Sequence, residues 1–174
     1  MTDWAAWFRQ RLQTSGEDFM WAFSRIYPAL HKSLPPNPRY LGLWAPARHV
    51  WHVTEYERCI ALPIMRQWLG GSPLPDDDDV WPDSDELWLA VSDQPAEAYH
   101  RAFWDVRQQQ IALLDSFSPA SCDEKQDTGW GPKPLSMVVT KTYQHTFEHA
   151  DTLLRMGLWW ADMALEEAKH AAQS

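Results

Sequence analysis

The sequence predicts an all-α protein, a four-helix bundle with one long crossover between its second and third helices. Apolar residues recur at a 3.6-residue period through four long segments, and prolines and glycines gather between those segments. No stretch shows a convincing apolar–polar alternation of the kind a half-buried strand needs, and no repeat or low-complexity tract is present. The 174 residues suffice for one good core and are too few to divide comfortably, so residues 1–174 are read as a single domain.

The first predicted helix begins at Trp4. Trp4, Trp7, Phe8, Leu12, Phe19, Phe23, Ile26, Tyr27 and Leu30 keep helical spacing to about Leu34, where Pro35, Pro36 and Pro38 stop it; Gly16 is a weak point. The second opens at Ala45–Pro46, where proline suits a first turn, and runs to about Leu69 before Gly70–Gly71, with a kink expected at Pro63. Residues 70–93 read as a crossover loop containing one short helix in WPDSDELWLA. Its run Asp76 to Asp79 lacks the alternating ligand spacing and the glycine of a calcium loop, so it reads as solvated. The third helix has Ser92 or Asp93 as cap and Pro95 in its first turn, and carries Tyr99, Phe103, Val106, Ile111 and Leu114 to Phe117. After a second loop, SPASCDEKQDTGWGPKP, the fourth runs from about Leu135 to Lys169.

Composition excludes several classes of function. Hydrophobic residues make up 45% of the chain and charged residues 22%, which is globular rather than disordered. The net charge of -9, with no run of Lys or Arg, repels phosphate backbones and argues against nucleic-acid binding. MTDWAAWFRQR has charges where a secretory signal needs an apolar stretch, and no segment approaches the length of a membrane span. The expectation is a soluble cytoplasmic protein without membrane partners. Cys59 and Cys122 form no paired spacing, which suits a reducing compartment, and Cys59 reads as a small buried hydrophobe. The 12 tryptophans predict aromatic-rich packing or an aromatic-lined cavity.

The chemistry-bearing residues are histidines. In KTYQHTFEHADTLL, His145 and His149 are one helical turn apart and share an apolar stripe with Val138, Leu153, Met156 and Trp160. His52 shares a face of the second helix with Ala45, Tyr56, Cys59, Ile60 and Pro63; His49 lies near that face but rotated from its centre. Inward imidazoles need partners, since each buried polar group left alone costs about 1–3 kcal/mol. A divalent metal would satisfy three at once and leave a position open for water or substrate. Spacing alone leaves a second reading open, in which they bond to buried carbonyls or carboxylates. His31, His100 and His170 are read singly, as core histidines so bonded.

Two rival motifs are weaker. HTFEH formally matches the inverted zinc-peptidase signature, yet Glu148 projects sideways from the histidine stripe. Glu97 and His100 form a single Glu-x-x-His, where a di-iron bundle needs two. Glu55, Tyr56, Lys141 and Glu148 flank the predicted cavity and are read as packing or solvated residues, with a role around the metal or substrate as the alternative.

WAPARHVWHVTEYER (44–58) and YQHTFEHADTLL (143–154) resemble the second and fourth helices of the DinB/YfiT-like four-helix-bundle proteins, in the tryptophan-led helix bearing a histidine and in the His-x-x-x-His that follows later. Helix order and the long crossover extend the likeness loosely over most of the chain. The resemblance implies a metal triad of His52, His145 and His149, with register favouring His52 over His49, and zinc or nickel as the ion. It further implies a small-molecule substrate and relatives that are thiol-dependent S-transferases or isomerases using a low-molecular-weight thiol. Beside that reading stand a metal-dependent hydrolase and a non-catalytic bundle that holds an apolar ligand or forms a homodimer through an exposed helix face.

Overall fold

A computed structural model of the chain describes residues 3–26, 30–31, 44–72 and 84–171, apart from the side chains of 161, 163–168, 170 and 171. They are mostly helical, in keeping with the all-α expectation. The first helix, α1, spans Trp4–Arg25 and is capped by the Asp3 carboxylate, which accepts from the Ala6 amide at 3.0 Å. It continues unbroken through Gly16, where a Cβ would stand 3.0 Å from the Trp104 ring. The glycine therefore permits close helix packing rather than weakening the helix. The helix ends well short of the expected Leu34, with Ile26 at φ -99° and its amide turned back to the Phe23 carbonyl at 3.4 Å. Pro28 supplies no amide to extend the ladder and disfavours helical geometry in the residue before it, a nearer stop signal than Pro35. Tyr27, residues 32–34 and the prolines at 35, 36 and 38 lie outside the described residues.

The second helical segment is continuous but not uniform. Helix α2 (Pro46–Tyr56) passes through a π-helical turn at Glu57–Ala61 into α3 (Leu62–Gln67). Pro63 is one contributor to the turn. It has no amide to return to the Cys59 carbonyl and its ring crowds that oxygen, so the ladder widens by one residue and the Leu62 amide reaches back to Glu57. Gly70, at φ 83°, follows its end.

In the crossover, Ser84 caps the short helix α4 (Asp85–Leu89) by accepting from the Leu87 amide at 3.1 Å. Asp76 to Asp79 lie outside the described residues. Helix α5 (Ala96–Leu113) starts differently from the expectation: Pro95 occupies the cap position, while the Ser92 hydroxyl donates to the Leu89 carbonyl and is unavailable. It ends in a 3₁₀ turn at Leu114–Ser116 rather than running on to Phe117. The second loop holds a further 3₁₀ turn, Pro119–Cys122, and a ribbon that the sequence did not announce, β1 (Lys125–Asp127) antiparallel to β2 (Pro132–Pro134). Three-residue strands containing two prolines show no readable alternation. Gly129 and Gly131, at φ 78° and 79°, turn the chain between them. Helix α6 occupies Leu135–Ala171.

Helix α1 packs most extensively along α6, and α2 lies against both α5 and α6. Two apolar clusters result, one around Phe19, Phe23, Trp51, Phe103 and Leu153, the other around Leu12, Ile64, Met65, Leu135 and Val138. Between α1, the π turn, α5 and α6 sits a charged knot, Glu57 and Arg107, each with its side chain fully buried. Arg107 forks onto the Glu57 carboxylate and donates to the Leu12 carbonyl at 2.7 Å, Ser15 at 3.1 Å and Thr146 at 2.6 Å. Gln110 adds a bond to Glu57 at 2.7 Å. No helix among the described residues is long and apolar enough to cross a membrane.

Candidate metal centre

The second-segment histidines, His49 and His52 on α2, face His145 and His149 on α6. Pro46 at the first turn fixes where α2 begins, and buried Val50, Trp51, Val53 and Thr54 set which side of it faces inward. On α6, Val138, Val139, Leu153 and Met156 are buried above and below the histidine turn and hold its phase.

Three imidazoles converge by the same atom. His145 Nε2 lies 3.1 Å from His52 Nε2 and 3.2 Å from His149 Nε2. Nitrogens held about 2.0–2.1 Å from one tetrahedral ion would stand about 3.3 Å apart, so the spacing suits a common ion. His52, His145 and His149 thus form a group that could hold a metal ion, all their ligand atoms lying within 4.8 Å of one another. The electrostatics agree with the donor set. Burial, together with His52, Lys141 and Arg107, pushes the His145 pKa down to about 3; burial and the other three histidines take His149 to about 2. Neutral imidazoles are what a metal needs.

His49, expected near the inward face but rotated from its centre, lies inside it. It is only 3% exposed, deeper than any of the other three, and its Nδ1 lies 2.8 Å from His149 Nδ1, on the side of that ring away from the converging Nε2 atoms. Burial, then His52 and Arg48, lowers its pKa to about 3. Trp44, quoted above only as part of a motif, covers the group: its ring centroid is 5.0 Å from that of His52, 5.4 Å from His49, and stacks on His149 at 6.4 Å with the Arg48 guanidinium on it. The signal was in the sequence, since a residue three to five positions before a helical histidine can reach back over it, but nothing there gives the direction of the chain entering the helix.

The other candidates separate cleanly. Tyr56 is buried with its ring 4.6 Å from that of His145, and burial, then Glu57, raises its hydroxyl well above the usual range, so of the packing and solvated roles it takes the packing one, as a wall of the site. Glu148 is exposed and accepts from Gln144 at 2.8 Å, turned sideways as the helical projection requires. Glu55 pairs with Arg58, and Lys141 is half-buried on α6. His31 and His100 are exposed, contrary to their reading as core histidines, and the side chain of His170 is outside the described residues. Glu97 and His100 line an apolar cavity of about 730 Å³ with Met20, Phe23, Leu30 and Trp104, whose lining includes none of the four clustered histidines. Cys59, half-buried rather than fully so, has its thiol 3.8 Å from Glu55; burial raises the pKa of both Cys59 and Cys122.

No family model matches the chain, and no curated protein does. Among solved structures the chain is similar to the crystal structure of an uncharacterized protein from Clostridium difficile 630, at a TM-score of 0.62 and 11% identity over 89% of this chain and 94% of that one. At that identity the likeness is one of fold alone.

Proposed function

We propose that the chain is a divalent-metal-dependent enzyme of small-molecule thiol chemistry, an S-transferase or isomerase, built on a DinB/YfiT-like four-helix bundle. The observation that carries the metal is the convergence of three Nε2 atoms from His52, His145 and His149 at 3.1 and 3.2 Å. Three protein ligands leave a coordination position open, the arrangement of catalytic rather than structural sites. Zinc or nickel suits an all-imidazole set. Held by His52, His145 and His149, such an ion would supply a Lewis acid able to lower the pKa of a small thiol.

The chain's own residues shape the rest. Neither cysteine is prepared as a nucleophile, because burial raises both thiols, so the thiolate is brought by a second small molecule. Tyr56 and Trp44 set aromatic surface against the imidazoles. Trp44 also lines a cavity of about 380 Å³ with His31, Arg48, Trp88 and Ser92, which we assign as the substrate's approach.

Elemental analysis of tag-free protein purified without chelator tests the metal. Near-stoichiometric zinc or nickel, lost in the His52→Ala/His145→Ala/His149→Ala variant, is expected. A wild type that stays empty after metal addition rejects the reading. Activity is then read on thiol–electrophile pairs beside esters and amides; turnover of the esters or amides alone would move the assignment to a hydrolase. A second reading has its own observation, the apolar cavity of about 730 Å³ between α1 and α5. Apolar ligand binding that survives loss of all three histidines would favour a binding protein.

A further inference from the structure

His149 has two ring nitrogens, and each faces another histidine. Nε2 points to His145 Nε2 at 3.2 Å, while Nδ1 lies 2.8 Å from His49 Nδ1. A neutral imidazole carries one proton, so the two contacts are not independent. If Nε2 is a ligand, the proton must sit on Nδ1, where among the described residues its hydrogen-bond partner is His49. His49 must then accept through Nδ1 and carry its own proton on Nε2. That atom is buried and has no hydrogen-bond partner among the described residues. The opposite tautomer reverses the bond: His49 Nδ1–H donates to His149, and the His149 proton moves to Nε2, where it blocks coordination.

Resting on the metal reading above, we infer that His49 is a positioning residue for the centre, holding His149 in the Nδ1–H tautomer and the ring orientation that free its Nε2 for the ion. Metal-bound histidines regularly give their second N–H to an oxygen acceptor; here another imidazole takes that place. His49 is suited to it. It is only 3% exposed, its neighbours Val50 and Val53 on α2 are fully buried, and the Trp44 ring covers it, so water cannot substitute as acceptor. Ligand spacing and the His49 contact also agree in direction, since one imidazole cannot turn both nitrogens toward the same centre.

The test uses the full chain with zinc as probe, titrated against a competing chelator at fixed pH. His49→Leu removes the acceptor, and His49→Asn puts a side-chain oxygen near the place of Nδ1. The expected result is zinc binding weakened about 10–100-fold in His49→Leu and largely restored in His49→Asn. Long-range nitrogen–proton spectra of the zinc-loaded wild type provide a readout that needs no variant: His149 is expected to show a protonated Nδ1 and a metal-shifted Nε2. Zinc on Nδ1, or unaltered affinity in His49→Leu, overturns the role of His49 alone. A wild type that binds neither zinc nor nickel overturns the metal reading and this role with it, which keeps the two failures distinct.

Discussion

Two polar clusters lie side by side in this molecule and satisfy themselves in opposite ways. Around Glu57 and Arg107 every charge is met: the guanidinium reaches the carboxylate, two hydroxyls and a carbonyl, and Gln110 completes the carboxylate. One residue along α6 from Thr146, which belongs to that knot, His145 begins a cluster in which ring nitrogens of four histidines lie against one another. Burial pushes the Glu57 carboxyl upward, but Arg107 and the hydrogen bonds oppose it; at the histidines the neighbouring imidazoles add to burial instead. A buried polar group that has found its partners belongs to the fold. One that faces like groups, as His52, His145 and His149 do, forms a group that could hold a metal ion.

The largest expected effect separates the two directly. Arg107→Met leaves the Glu57 carboxylate buried without its counter-charge and should lower unfolding stability by about 3–5 kcal/mol. Adding Glu57→Leu to it should recover most of that loss, because the uncompensated charge is gone. In metal-free protein His145→Leu, by contrast, removes a nitrogen that faces two others and should cost less than about 1 kcal/mol. Denaturant midpoints in the presence of chelator measure all three. Equal losses for Arg107→Met and His145→Leu would erase the distinction between knot and site.

An intermediate effect comes from pH. His49, His145 and His149 have pKa values of about 3, 3 and 2 in the folded chain, below the usual 6.5. The unfolded chain therefore takes up protons first as pH falls, and stability rises with pH through that interval. The contribution is fully present above about pH 6.5 and is lost progressively toward pH 3. A single such group removes about 2 kcal/mol by pH 5, from about 1.4 kcal/mol per unit. The three interact, so their losses are not independent. Metal-free wild type should show a steep acid limb in its unfolding midpoints, and the His145→Leu/His149→Leu variant a flatter one. Matching limbs would mean the imidazoles are solvated.

Much of the fold could be read from the chain because it follows helical period. Trp4, Phe8, Leu12 and Phe19 marked α1, and Pro46 marked the start of α2. The end of α1 was misread because the pattern Ile26, Tyr27, Leu30 keeps helical spacing past a proline that forbids it. His52, His145 and His149 were legible because spacing along a helix reports a shared face. His49 was not, because its inward tilt depends on how α2 is rotated against α6, which no single helix specifies. The Glu57–Arg107 knot joins residues fifty positions apart, and both look like ordinary surface charges in sequence.

The smallest expected effect concerns the π turn that joins the two clusters' helix to α3. Upstream of it His52 and Tyr56 are fixed by the site, and its first residue, Glu57, by the knot; downstream Ile64 and Met65 are fully buried in the second apolar cluster. Closing the turn to regular helix would rotate one side against the other by about 100°, one residue's worth. Burial on both sides forbids that more strongly than Pro63 does. Pro63→Ala should thus keep the turn, shift stability by less than about 1 kcal/mol, and leave zinc affinity unaltered. A fall in zinc affinity with stability unchanged would instead make the proline, and not the Glu57–Arg107 knot, the element that holds His52 in register with α6.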